Sequence, residues 1–351
     1  MDFRLTDEQE MLAETVDTLF REQCTGAHLR QLLESGCAVD EDRWDQIVGM
    51  GLTGVMAPDA LGGSGLGQVE LVLIAIASGY AALPEPLVEQ AGVVLPMLAD
   101  FDEAMAVRVV GGERVAVGHP VNPFVADADR AVALLLSDED AIHLVRQQDV
   151  TLTRQPSFDP FRRLFRVDWK PVADTVVAQG RGGDDAWAAA LDRGALFAAA
   201  QLLGIAQRAI DMAADYAKER QQFGKPIGSF QAIKHHLANA QVKVEFARPV
   251  VLAAAAATSP DLARTRISHA KLAAAAAADA ATHAAVQIHG AMGFSWEVDV
   301  HFLLKRSLAL GQAWGTTAFH RARVAEHILS APLGPDRTFD APKQELAHEP
   351  A

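Results

Sequence analysis

The residues best able to do chemistry stand in two short segments. The first is Tyr216-Ala-Lys-Glu-Arg-Gln-Gln-Phe-Gly-Lys-Pro-Ile-Gly-Ser-Phe-Gln231. A helix rich in Ala and Leu should end near Arg220, because Gly224 and Pro226 both break helices. The next helix should start near Ser229, a good N-cap. Arg220 and Lys225 then sit in a tight interhelical turn, where a guanidinium can grip an anionic phosphate bidentately. A solvated helix end fits the same residues. The second segment, Gln287-Ile-His-Gly-Ala-Met-Gly-Phe294, closes a long Ala-rich helix with two glycines. Backbone N–H groups exposed there, together with the Gln287 amide, suit a nucleotide. His289 alone reads as a helix-end or packing histidine, not a base.

Other candidates are weaker. Gly62-Gly63-Ser64-Gly65-Leu66-Gly67 lacks the GxxxxGK-Ser/Thr pattern and follows no convincing strand, so it predicts a turn, not a phosphate loop. His235, His236 and His283 lack a companion Asp or Glu at a convincing ligand spacing, and Cys24 and Cys37 form no CxxC. No metal site is expected.

The elements that hold these segments are mostly helical. The chain has 351 residues, 50% hydrophobic and only 6% aromatic, with alanine runs at 253–257 and 273–278. At about 150 residues per domain, that predicts two or three domains, and alanine is the best helix former. From Leu5 to Leu33 the apolar residues fall at helical spacing, with Thr6 as a cap. A second helix runs from near Asp40 through Trp44 and Ile47, and others cover Val69–Tyr80 and Leu87–Leu98. Between about 105 and 178, β-branched runs predict a small antiparallel sheet: Val107–Val110, Val115–Val117, Ala131–Leu136, Ile142–Val145 and Leu164–Val167. The linker Gly180–Asp184 ends it, and from Asp185 to Ser330 the pattern is that of an antiparallel bundle. The expected fold is mainly α with a small β middle domain. Its parts are an N-terminal α domain (1–102), a reduced β domain (103–180), a C-terminal four-helix bundle (184–331) and a disordered tail (332–351).

Charge bears on partners. Lys and Arg number 31 against 45 Asp and Glu, a formal balance of −14. A chain that acidic, with no basic run longer than two, repels a phosphate backbone, so nucleic acid is not an expected partner. The opening MDFRLTDEQE lacks a signal-peptide pattern. The apolar stretch near 186–207 is interrupted by Asp192 and Arg193 and followed by Arg208, which argues against a membrane span. Free thiols in a reducing cytoplasm fit the two cysteines better than a disulfide.

The two segments, in this order, resemble the acyl-CoA dehydrogenases, FAD-dependent enzymes of acyl-thioester oxidation. That family reads R-x-Q-F-G-x-P-I-x-x-F/H-Q, then a helix carrying A-K, then Q-x-x-G-G-x-G-F/Y. Here those appear as Arg220–Gln231, Ala270-Lys271 and Gln287–Phe294. Leu5-Thr6-Asp7-Glu8-Gln9 and the Pro58 to Gly65 loop also match, so the resemblance covers roughly 1–100 and 185–330. It implies FAD at a subunit interface. Arg220 would contact the pyrophosphate with Gln222 and Phe223 beside it, and Phe230 and Gln231 the flavin or ADP portion. Gln287, Ile288, His289, Gly290 and Ala291 would hold the adenosine end across the interface. The implied reaction is α,β-dehydrogenation: a carboxylate takes the α-proton while hydride leaves the β-carbon for the flavin.

The resemblance places that carboxylate at one of two positions, and neither holds one here. The first stands 27 residues after the first Gln of the glycine motif, and from Gln287 that is Trp314. Gly315 and Thr316 of the family's E-G-T are kept, and Thr316 counts among the expected cofactor residues. The second lies 26 residues before the motif arginine, which is Gly194. Asp192 is two residues away, on another helix face. The middle departs too: Val115–Phe124 stands in place of the family's T-E-P-x-A-G-S-D, and no W-I-T/S-N is found. This pattern looks like the base-lacking partner in heteromeric α2β2 acyl-CoA dehydrogenases of steroid side-chain degradation. It implies a catalytic acyl-CoA dehydrogenase subunit as partner, an acyl-CoA substrate and an electron-transfer flavoprotein as acceptor. A homomeric flavoenzyme using Asp192, Glu297 or Asp299 as base, and a non-enzymatic scaffold, remain open alternatives.

Overall fold

The computed structural model describes residues 4–36, 38–257 and 260–330. Cys37 and the tail 332–351 lie outside the described residues. The chain begins with helices α1 (Asp7–Gln23), α2 (Gly26–Glu34), α3 (Glu41–Gly49) and α4 (Gln68–Tyr80). Thr6 and Gln9 form a reciprocal capping box at the start of α1. The helical run does not continue to Leu33. It breaks at Cys24, and Thr25 restarts it by accepting the His28 N–H. The loop at Gly62–Gly67 is a structural turn. Its N–H groups at Ser64, Gly65 and Leu66 donate to the carbonyls of Gly54, Ala57 and Val55, leaving no donor row for a phosphate.

After Tyr80 come α5 (Leu87–Glu89), a π-helical turn (Gln90–Val94), α6 (Leu95–Phe101) and α7 (Glu103–Val110). Val107–Val110, expected as strand, is therefore helical. Asp102 caps it by accepting the Met105 N–H at 2.9 Å, and Ala106 and Val109 bury one face at helical spacing. Local capping and packing outweigh the weak β preference of three valines.

The middle region forms two sheets, not one. β1 (Val115–Gly118), β3 (Ala133–Asp138), β4 (Ala141–Arg146) and β7 (Val176–Gln179) lie in the order β1-β3-β4-β7. β2 (Val125–Ala126), β6 (Leu164–Asp168) and β5 (Thr151–Gln155) make the second, in the order β2-β6-β5. The β1–β3 pair is parallel. Parallel neighbours need a crossover, and here the chain makes it by leaving for β2 in the other sheet. β5 and β7 are largely exposed on both faces, so they lack the alternation that marks a strand.

Gly180–Asp184 is not a linker. Gly180 adopts φ +60°, and Arg181 already begins α8 (Arg181–Glu219), a helix of 39 residues through the core. By length and composition α8 could cross a membrane, but its most apolar window is 67% buried inside the protein. It crosses α4 at two glycines. A Cβ on Gly79 would overlap the Gln201 carbonyl and one on Gly204 the Ile76 carbonyl, so only glycine allows this approach. α9 (Gln231–Ala255), α10 (Pro260–His289), α11 (Val300–Gln312) and α12 (Thr317–Ser330) complete the helical half, with α10 packed on all the others.

Candidate functional site

Two places collect the residues singled out above. At one end of the bundle, α8 stops at Arg220, whose N–H still bonds the Tyr216 carbonyl at 2.8 Å. A two-residue hairpin follows, β8 (Gln221–Gln222) against β9 (Lys225–Pro226). Its central residues, Phe223 and Gly224, have φ +53° and +76°. That is the conformation of a tight hairpin turn, costly for an aromatic residue. Phe223 is nonetheless 91% exposed. Its only ring contact among the described residues is an edge approach to Phe230, which also carries the Lys225 ammonium 4.5 Å from its centroid. Ser229 is not the N-cap expected. Its hydroxyl donates to the Pro226 carbonyl at 2.7 Å inside a short 3-10 turn, and α9 starts at Gln231 behind Phe230.

The second segment meets the first through one stacked pair. The rings of Tyr216 and His289 lie 4.3 Å apart at 23°. His289 Nδ1–H donates to the Ala285 carbonyl at 2.7 Å, and burial holds its pKa below the ordinary histidine value. It is a neutral packing histidine. Gly290, at φ +61°, turns the chain out of α10. Gln287, Gly290 and Ala291 are exposed, while Ile288 is buried beneath them. Arg220, Gln222, Phe223 and Gln231 are also exposed. The donors are thus held on a rigid bundle end facing outward, an arrangement that fits a dinucleotide diphosphate.

The other place is the turn between α11 and α12. Trp314 adopts φ +57° and Gly315 φ +97°. Trp314 is buried, and its indole lies against Gly194 so closely that any Cβ there would overlap the ring. The turn is held from every side. Asn122 Oδ1 accepts the Trp314 N–H at 2.8 Å, and His320 Nε2–H donates to the Trp314 carbonyl at 2.9 Å. Lys271, fully buried, donates to the Leu310 and Ala313 carbonyls that end α11. The His119 ring stands edge-on to both Trp187 and Trp314, at 5.0 and 5.6 Å. Thr316 Oγ1 accepts the Phe319 N–H and so caps α12. Among the described residues no side-chain hydrogen bond links it to the Arg220 segment.

The alternative bases are occupied or remote. Asp192 is bound by Arg323 at 2.6 Å with Arg264 at 3.7 Å, Asp299 is bound by Arg30, and Glu297 is exposed on a loop. Among the described residues no cluster suits a metal ion. Sequence reasoning missed His119, Asn122 and Lys271 as supports of the Trp314 turn. The prolines beside Asn122 did mark that segment as a fixed turn, and that was the available signal.

Family models for the acyl-CoA dehydrogenase N-terminal and C-terminal domains match residues 6–102 and 180–329. The chain belongs to the acyl-CoA dehydrogenase family. Its cofactor is FAD, and the family is one of oxidoreductases. Acyl-CoA dehydrogenase IpdE2 of Mycolicibacterium smegmatis is 33% identical across 89% of this chain and 96% of its own length. Among solved structures, a chain of the ChsE4-ChsE5 complex from Mycobacterium tuberculosis superposes with a TM-score of 0.85 at 26% identity, covering 95% of this chain and all of that one. A chain of a Tcur3481-Tcur3483 steroid ACAD variant shares the fold, with a TM-score of 0.81 at 24% identity over 92% of this chain and 98% of that one.

Proposed function

We propose that this chain is the base-lacking subunit of a heteromeric acyl-CoA dehydrogenase and completes the FAD site of a catalytic partner. One observation carries the proposal: at the two positions where the resemblance puts the base stand Trp314 and Gly194, and the buried indole fills the space that any side chain at 194 would need. Indole has no exchangeable carboxyl proton, and the α-proton of a thioester needs a desolvated carboxylate to remove it. The exposed bundle end supplies what the partner would need. Arg220 would bind the pyrophosphate, Gln222, Phe223, Phe230 and Gln231 would flank it, and Gln287 with the Gly290 and Ala291 backbone would face the adenosine. FAD held there would supply a hydride acceptor for the acyl β-carbon, and this chain's residues would position it.

The ChsE4-ChsE5 complex supports assembly with an unlike partner subunit, and the α2β2 stoichiometry and a steroid side-chain acyl-CoA as substrate follow from the sequence resemblance to base-lacking subunits. The engagement of Asp192 and Asp299 in ion pairs weighs against a homomeric enzyme with a relocated base. The test is to purify the full chain alone and coexpressed with a neighbouring acyl-CoA dehydrogenase gene product. Alone it should be colourless and inactive. Together the pair should be yellow, with one FAD for each pair of unlike chains. Dehydrogenase activity of the lone chain on any acyl-CoA would sink the proposal.

A further inference from the structure

Among the charged side chains that neither site uses, Arg162 stands apart. It lies in the turn between β5 and β6, half-buried, and its Nη1 donates to the Ala309 carbonyl of α11 at 3.2 Å. Among the described residues it has no ion-pair partner. The acids that feel its charge are Glu89 and Asp127. Burial raises both of their pKa values, that of Asp127 to about 7. Asp127 Oδ1 is buried with no hydrogen-bond partner.

Arg162 also lines two cavities. The inner one, about 80 Å³, holds Glu89 and Asp127 beside Gly194 and Trp314. It has room for only a few waters. The outer cleft is about 360 Å³, open to solvent, and walled by Phe124, Leu164, Leu308 and Ala309, with Asn122 and Gln312 at its edges. Phe158, 83% exposed, forms its rim. An apolar cleft of this size with one convergent charged group is the usual form of a small-molecule site, typically about 300–1,000 Å³.

We infer that the outer cleft is a non-catalytic binding site for an apolar carboxylate, with its hydrocarbon body against Phe124, Phe158, Leu164 and Leu308 and its anionic head on Arg162. A guanidinium fork matches a carboxylate bidentately. The inference is independent of the partner-subunit proposal, since it concerns this chain's own cleft and needs neither flavin nor partner.

The experiment titrates the full chain, alone and in its complex, with adamantane-1-carboxylate and with its neutral counterpart 1-adamantanemethanol, read by calorimetry. The carboxylate should bind saturably and about tenfold or more tighter than the alcohol, as a charged hydrogen-bonded pair implies. Arg162→Gln should erase that difference while leaving the weak alcohol binding, and Arg162→Lys should restore part of it. Leu308, 45% exposed, tolerates a larger side chain, so Leu308→Trp should fill the cleft and abolish both without loss of fold. Equal affinity for the two probes, no saturable binding at millimolar probe, or binding that survives Leu308→Trp would each overturn the inference.

Discussion

The two ends of the helical half differ in what their residues are held against. At the Arg220 end, polar and aromatic side chains face outward, and Phe223 keeps a left-handed backbone while almost wholly exposed. At the Trp314 turn, a left-handed backbone is likewise kept, but the indole is buried and the Trp314 N–H and carbonyl are both bonded within the chain. Strain with no internal partner points to a contact outside the chain, and strain satisfied internally points to a plug. The difference teaches that two turns with the same left-handed backbone can be held in opposite ways, one open to the outside and one packed within the chain.

The largest effect should come from opening the plug. Trp314→Ala removes a buried indole packed on Gly194 and His119, and should cost about 3–5 kcal/mol in urea unfolding. Gly194→Ala forces a methyl into that ring and should cost about 1–3 kcal/mol. In the Trp314→Ala background the same Gly194→Ala change should cost far less, because the two residues contact each other and their effects do not add. Additive effects would mean that the indole does not fill the Gly194 position. FAD content of the assembled complex should be unchanged by Trp314→Ala if the two ends act separately.

Arg220→Ala should act in the opposite way. The side chain is exposed and makes no ion pair among the described residues, so unfolding of the lone chain should move by no more than about 0.5 kcal/mol. Losing a hydrogen bond to a charged group costs about 1.5–3 kcal/mol, so FAD retention by the complex should fall roughly ten- to hundredfold. Equilibrium dialysis of the purified complex against FAD measures it. Undiminished retention would remove Arg220 from the cofactor site.

Much of this contrast was legible in the sequence, and the gaps have physical causes. Counting from Gln287 reaches Trp314, and counting back from Arg220 reaches Gly194. That the two meet in space was not legible, since it depends on how α8 and the end of α11 are packed. The Tyr216–His289 stack was hidden for the same reason, although both residues lay in the segments singled out. Ser229 looked like a cap because its side chain is suited to one. The 3-10 turn instead spends that hydroxyl on Pro226, and the helix begins two residues later at Gln231. Val107–Val110 misled because β-branching is a weak signal against an Asp102 cap. Arg162, Glu89 and Asp127 gave no pattern at all, being single charges from separate elements brought together only by the fold.

pH acts in opposite directions on two buried groups near the plug. His320 is fully buried at the plug, and burial lowers its pKa from 6.5 to about 4, helped by nearby Lys271 and Arg323. A depressed folded-state value means the unfolded chain binds the proton more readily. The neutral ring thus contributes stability above about pH 6.5, and that contribution is lost as pH falls through 4. Asp127 runs the other way. Its folded-state value is raised from 3.8 to about 7, so its contribution is present below pH 3.8 and lost as pH rises through 7. Urea midpoints measured across that range should fall on the acid side for the parent chain and less steeply for His320→Gln, whereas Asp127→Asn should flatten the neutral side. An unchanged acid slope in His320→Gln would separate His320 from the acid response.

The smallest effect should come from Phe223→Gly. A left-handed backbone costs a non-glycine residue roughly 1–2 kcal/mol, which glycine relieves. Glycine also adds conformational freedom to the unfolded chain, which offsets about 0.5–1 kcal/mol of that gain. The lone chain should therefore gain at most about 1 kcal/mol, seen as a slightly higher urea midpoint. Assembly is where the residue's worth should show. A ring left 91% exposed at the tip of a strained hairpin has nothing to pack on inside the chain, so the complex should dissociate at higher concentration once the ring is gone. A variant that is more stable alone yet weaker in complex would assign the strain at Phe223 to the partner. One that is unchanged in both would leave the hairpin as an ordinary turn.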